Sequence, residues 1–370
     1  MNYPSDKFIR PEVLEFRPYS PGLGIDEIKD KFGLSNVIKM ASNENPLGVS
    51  PVVQEVIRDN ASLAFRYPAA GNMDLCRAIG GYLGIEPQQI VCGNGSDEII
   101  DLLIRITAVP GRDNIIAFKP CFSIYQLQAR LCGVEFRQCP LEPDFSFNWE
   151  GLLELADERT RIVFLTNPDN PSGFAVSSKE IEKFYRKLPD SAILVIDEAY
   201  VDFACPLENF SSLKHALKSQ RIVILRTFSK MFGLAGLRVG YGIFPAFLAD
   251  YLMRVRLPFS VNILGEKAGR AALEDSIFRQ ASLDLVIKGR NYLAGELRTL
   301  GCQVYPSQAN FLMFRPPGVA QLIFEKLLAL GIIIRPLKSY GLPDFLRVSI
   351  GTPKENKMFV AALKTIIKNE

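Results

Sequence analysis

The sequence predicts an α/β protein with a large domain on a mostly parallel sheet, followed by a smaller α+β domain. Three observations predict it. Short runs rich in Val, Ile and Phe alternate with helical patterns through the middle of the chain. That rhythm changes near residue 271. Four of the runs end in polar clusters, at the carboxyl ends of strands where open α/β sheets bind their ligands.

In chain order the runs are QQIVCGNG, NIIAFK, GVEFRQC, RIVFLTN, AILVIDEAY, RIVILRTF and VGYGIF, giving a seven-stranded sheet. Helical patterns such as DEIIDLLIRITA and SKEIEKFYRKL lie between several of them. After residue 271, DSIFRQASLDLVIKGRNYLAGELRTLG reads as one long amphipathic helix. CQVYPSQANFLMFR, GVAQLIFEKLLALG, IIIRPL, FLRVSIG and ENKMFVAALKTIIKN follow, as a small α+β domain would require. The expected division is an N-terminal arm joining the small domain (1–30), a large domain (31–270) and a small C-terminal domain (271–370). Neither an internal repeat nor a low-complexity linker separates them, so a shared interface is expected.

Composition narrows the chemistry. Hydrophobic residues make up 48% and charged ones 22%, an ordinary globular balance. A net charge of +3 is too small to argue for nucleic acid or a membrane surface as partner. The N-terminal stretch lacks the apolar core of a signal peptide, and no run reaches the roughly 18 apolar residues of a membrane span. The 7 cysteines form no CxxC pair, so a reduced, cytoplasmic protein is expected. The single histidine, His215, sits in the polar stretch SSLKHALKSQ. A multi-histidine zinc site is thereby excluded, and a Ser-His-Asp triad could use only this residue. Lysine chemistry with an organic cofactor is the better prospect.

The four polar strand ends carry candidates for it. In CGNGSDEII, Gly93 and Gly95 allow a tight turn, and Ser96 is expected as N-cap with Asp97 and Glu98 in the first turn; such a helix start binds anions. FLTNPDNPSG offers Asn170 at a sharp turn. AILVIDEAYVDF places Asp197 after five apolar residues, where a carboxylate is costly without a cation, with Tyr200 three positions on. RTFSKMFGLAGLRVGY carries Ser229, Lys230 and Arg238 among glycines. Each cluster alone would also suit an ordinary capped helix, turn or ion pair. Together they suit one ligand: an aromatic cation with a phosphate, held covalently by a lysine. Pyridoxal phosphate meets that description. Lys230 is expected as its covalent anchor and proton carrier, and Asp197 as the partner of its ring nitrogen. Tyr200 and Asn170 are expected beside its ring oxygen, and Gly95, Ser96, Asp97, Ser229 and Arg238 around its phosphate.

The chain resembles the fold-type I aminotransferases of the class-II group, and within them the histidinol-phosphate aminotransferases. The resemblance runs nearly end to end through FRPYSPGLGIDEIKDKFG, IKMASNENPLG, FRYP, GNGSDEIIDLLIR, PCFSIY, NPDNPSG, IDEAYVDF, RTFSKMFGLAGLRVGY, ANFLMFR and GIIIRPLKSYGLPDFLRVSIGT. It implies Lys230, Asp197 and Tyr200 as catalytic residues. It adds Phe122 stacked on the cofactor ring, Thr227 at the cofactor phosphate, and Tyr67 reaching that phosphate in the partner subunit of a homodimer. Arg347 is implied as the holder of glutamate's α-carboxylate, Arg335 and Tyr19 as contacts of the substrate phosphate, and Asn43 as part of the substrate pocket. The implied reaction is a ping-pong transamination between L-histidinol phosphate and 2-oxoglutarate in histidine biosynthesis. An aromatic amino acid aminotransferase, a threonine-phosphate decarboxylase and a cofactor-binding protein without catalysis are the alternatives. Cys121 and Met231 depart from the usual pattern, as does YPAAGNMDL, without removing a catalytic group.

Overall fold

A computed structural model describes residues 6–14, 16 and 24–368. Its strands, in chain order, are β1 (Ile38–Lys39), β2 (Ile90–Asn94), β3 (Asn114–Lys119), β4 (Glu135–Pro140), β5 (Thr160–Thr166), β6 (Ile193–Asp197) and β7 (Ile222–Thr227). They continue with β8 (Val239–Ile243), β9 (Gln303–Val304), β10 (Phe311–Arg315), β11 (Ile332–Ile333), β12 (Arg335–Pro336) and β13 (Leu346–Ser349). All seven predicted runs join one sheet, in the order β2-β8-β7-β6-β5-β3-β4. It is parallel except for β8, which runs against both β2 and β7.

The strands read as continuous apolar runs because both faces are covered. Alternate residues part into two buried clusters. Ile116, Val163, Leu194, Ile196 and Ile224 face one layer. Ile115, Ala117, Phe164, Val195 and Val223 face the other, with the helix Ser96–Thr107. In the central strands β5, β6 and β7 the apolar run gives way to polar groups at the carboxyl ends, Thr166, Asp197 and Thr227.

The long predicted helix is Ser276–Thr299, with Ser282, Val286, Gly289, Leu293 and Leu297 buried along one stripe. Beyond it β12-β13-β10-β9 form an antiparallel sheet. The segment at residues 38–43 is tied to these later strands. Ile38 and Lys39 pair with Ile332 and Ile333, and the Ser349 N–H donates to the Met40 carbonyl at 2.8 Å. Among the described residues, no helix is long and apolar enough to cross a membrane.

Candidate active site

The carboxyl ends of β5, β6 and β7 and the start of helix Ser96–Thr107 close around a cavity of about 270 Å³. Its wall carries Gly95, Ser96, Asp97, Phe122, Asn170, Asp197, Tyr200, Thr227, Ser229, Lys230 and Arg238. Residues far apart in the chain therefore meet, as predicted for the strand ends. Ser42, Glu44, Thr166, Ala199 and Ala235 complete the wall.

Asp197 ends a central strand and is buried. One carboxylate oxygen accepts from the Tyr125 hydroxyl at 2.7 Å and the other from the Ala199 N–H at 3.1 Å. Among the described residues no ion pair holds it, and burial pushes its carboxyl up to about 6. Lys230 follows β7 and donates from Nζ to the Ser42 carbonyl at 3.0 Å. Burial, and then the positive charge of Arg347, bring its ammonium down to about 8.

At the other end, β2 turns into helix Ser96–Thr107 through Gly95, whose φ of 76° suits glycine. Gly95, and not Ser96, is the cap. Ser96 already lies in the first helical turn, and Gly95 makes no side-chain bond there because it has no side chain to make one. The β2–β8 ladder brings Gly240 against this turn: a Cβ there would collide with the Ser96 nitrogen. Arg238 extends its guanidinium beside Gly95 to within 3.3 Å of Asp97. Unsatisfied first-turn N–H groups beside an arginine make an anion site.

Two predicted residues stand just behind the wall. Asn43 donates from Nδ2 to the Tyr200 hydroxyl at 3.1 Å. Arg347 donates to Asn170 Oδ1 and, at 3.1 Å, to the Ala41 carbonyl, while its buried Nε has no partner among the described residues. Arg335 is not part of the wall; it lies one strand away, opposite Arg347 in the β12–β13 ladder. Tyr67 is 79% exposed and stacks on Phe259 at 4.8 Å, outside the cavity of its own chain. Tyr19 lies outside the described residues. The sequence reading missed Tyr125 and Thr166, whose hydroxyls stand 2.9 Å apart beside Asp197. Tyr125 had a signal, since it lies three residues after Phe122, the cap of its helix Ser123–Leu131. His215 stands 3.4 Å from Glu182 and does not line the cavity.

These groups fit pyridoxal phosphate. A buried carboxylate without a cation suits a protonated ring nitrogen. An amine with a lowered pKa suits an aldehyde, and a helix start with an arginine suits a phosphate.

The family model for Aminotransferase class I and II matches residues 35–363. A histidinol-phosphate aminotransferase of Nitratidesulfovibrio vulgaris (strain DP4) is 60% identical, over 99% of this chain and 98% of its own. One from Oleidesulfovibrio alaskensis is 54% identical, over 97% and 95%. The crystal structure of histidinol-phosphate aminotransferase from Sinorhizobium meliloti, in complex with pyridoxal-5'-phosphate, has a TM-score of 0.87 at 25% identity, covering 97% of both chains. With its wall of lysine, aspartate, tyrosine and arginine built on this sheet, the chain belongs to the class I and II aminotransferases and, within them, to the histidinol-phosphate aminotransferase family.

Proposed function

We propose that the protein is a pyridoxal-phosphate-dependent histidinol-phosphate aminotransferase. It exchanges an amino group between L-histidinol phosphate and 2-oxoglutarate, and in the biosynthetic direction takes it from L-glutamate to imidazole-acetol phosphate. The observation that carries the reading is Asp197, buried in the wall that also holds Lys230 and held by no ion pair among the described residues.

Bound there, pyridoxal phosphate supplies an aldehyde for the substrate amine and an electron-poor ring that accepts the electrons of the broken Cα–H bond. Lys230 would anchor it covalently and, as a free neutral amine, would take the proton from the substrate Cα. Asp197 keeps the ring nitrogen protonated, because the paired carboxylate escapes its burial penalty only beside a cation. Tyr200 and Asn170 hold the ring oxygen, and Phe122 covers the ring face. Gly95, Ser96, Asp97, Thr227, Ser229 and Arg238 surround the phosphate. Arg347 receives the glutamate carboxylate, to which a guanidinium offers a bidentate fork. Arg335 and Tyr19 read the phosphate of histidinol phosphate, and Asn43 backs the pocket wall through its bond to Tyr200. Residues 31–270 would form the cofactor-binding domain and 271–370 the small domain, with Ile38 and Lys39 pairing across to Ile332 and Ile333.

The working unit in this reading is a homodimer. Phe65, Tyr67 and Leu257 are 75%, 79% and 69% exposed, together with Phe259 and Tyr251. Large apolar groups left in water, with Tyr67 stacked on Phe259, suit burial against a second copy. A second copy covers them and receives Tyr67 at its cofactor phosphate. Mixing Lys230→Ala with Tyr67→Asp protein tests this: heterodimers carry one intact site, so activity returns after subunit exchange. Exchange proven by mass without any return of activity would refute the shared site.

The function itself is tested with purified protein, pyridoxal phosphate, L-histidinol phosphate and 2-oxoglutarate. Glutamate should form in equal amount to the substrate consumed. Release of CO₂ from threonine phosphate, or faster turnover of phenylalanine than of histidinol phosphate, would move the protein to one of the alternatives.

A further inference from the structure

We infer that Asn43 and Ser349 are positioning residues that set the direction of the Tyr200 hydroxyl, so that its single hydrogen points into the cavity. The inference rests on the reading above that the cavity holds pyridoxal phosphate.

The argument is one of donors and acceptors. A tyrosine hydroxyl has one hydrogen to give, and which neighbour receives it depends on what the other neighbours offer. Tyr200 is buried, and its oxygen accepts from Asn43 Nδ2 at 3.1 Å. Among the described residues no acceptor takes the Tyr200 hydrogen, and the residue lines the cavity. The hydrogen is therefore available to a ligand atom there.

The orientation of the Asn43 amide is itself fixed. Its backbone N–H donates to Ser349 Oγ at 2.9 Å, and the Ser349 hydroxyl donates to Asn43 Oδ1 at 2.8 Å. Turning the amide over would put two donors on the serine oxygen and leave the serine hydrogen, which is buried, without an acceptor. Nδ2 must then face Tyr200. The backbone is pinned as well: Asn310 donates to the Asn43 carbonyl at 3.0 Å, and Asn43 holds a φ of 55°, a value asparagine and aspartate tolerate better than other side chains. Burial pushes the Tyr200 phenol up to about 12, so it keeps its hydrogen at neutral pH.

A ring oxygen that receives this hydrogen becomes less basic. A proton shared with it then leaves at lower pH than it would without the tyrosine. The test uses the full-length protein loaded with pyridoxal phosphate. The pH midpoint of its visible absorbance is measured together with the cofactor's dissociation constant by fluorescence. Asn43→Asp keeps the shape and the tolerance of the backbone angle but offers Tyr200 only an acceptor, so the hydroxyl turns away from the cavity. The midpoint should rise by roughly one pH unit, as expected for losing one hydrogen bond to a charged acceptor. Ser349→Ala, which releases the amide without adding charge, should raise it in the same direction by less. Tyr200→Phe should give the full rise, and adding Asn43→Asp to Tyr200→Phe should add less than about half of what it adds to wild type. An unchanged midpoint in both Asn43→Asp and Ser349→Ala overturns the inference and leaves the proposed function standing. So does a rise from Asn43→Asp that persists in full without the tyrosine hydroxyl. If the wild-type protein takes up no pyridoxal phosphate, the inference and the reading beneath it both fall.

Discussion

Two neighbouring carboxylates at the end of β6, Asp197 and Glu198, are both buried and belong to opposite sides of the strand's chemistry. Glu198 is fully engaged. It accepts from Arg226 at 2.7 Å, from the Ser212 N–H at 2.6 Å and from the Ser211 hydroxyl at 3.2 Å. Among the described residues Asp197 accepts only from the Tyr125 hydroxyl and the Ala199 N–H, and it faces the cavity. A charge cancelled within the chain contributes to structure. A charge left for something outside the chain marks where a ligand binds. Adjacent residues of the same chemistry thus separate a structural role from a functional one by their partners alone.

The sharpest test of that contrast lies on the cavity side. Lys230→Ala should lower kcat by about 10⁴-fold or more, the upper range for a positioned proton carrier, while the melting temperature changes little. Steady-state kinetics beside a thermal melt measure both; normal turnover in the variant would remove the lysine from the mechanism.

Asp197→Asn should cost about 10²–10³-fold in kcat, because the ring nitrogen loses a partner that typically moves its pKa by about 1–3 units. The same change should stabilise the cofactor-free protein. The carboxyl titrates near 6 when folded and near 3.8 when unfolded, so the native state binds the extra proton between those values and wild-type stability falls as pH rises through that window. The variant lacks this loss. Its melting temperature should exceed wild type at pH 7 and converge with it near pH 4. A variant less stable than wild type at pH 7 would break the comparison.

Glu198→Gln should show the reverse pattern. It strands the buried Arg226 and should destabilise the fold by about 3–5 kcal/mol, read from urea unfolding, with near-normal kcat in the fraction that stays folded. A large loss of kcat without a loss of stability would place Glu198 in the chemistry after all.

The smallest effect concerns pH and Lys230. Only the neutral amine captures the cofactor, and its pKa is about 8. The rate at which cofactor-free protein takes up pyridoxal phosphate should rise about tenfold per pH unit below that value and level off above it. Stopped-flow absorbance from pH 6 to 9 would show it; a flat profile would mean that the amine is neutral throughout.

Much of this was legible in the sequence. Branched residues in uninterrupted apolar runs have few alternatives to a buried strand, so the seven strands follow from local composition. Asp197, Lys230 and Arg238 were legible for the opposite reason, since each puts a charge where an apolar run stops. What stayed hidden depends on distance in the chain. The spacing from Phe122 brings Tyr125 toward the site without saying that its hydroxyl reaches Asp197, and nothing near Glu198 says that Arg226 lies on the next strand. Ser96 misled because it is a good cap by type, whereas the turn from β2 needs a positive φ that glycine supplies more easily. The pairing of Ile38 with Ile332 could not be read from a two-residue strand at all.

The position of β8 has a consequence for how the chain is made. The anion site opens at the end of β2, yet the neighbour that completes it is the last strand of the sheet, with Ile90 beside Ile243 and Asn94 beside Val239. During synthesis the edge of β2 stays unpaired until that distant partner has emerged, and contacts so far apart in sequence form slowly. Nascent chains halted before Val239 lack the ladder that presses Gly240 against Ser96, so the cofactor can act as a folding ligand only for chains that have passed this point.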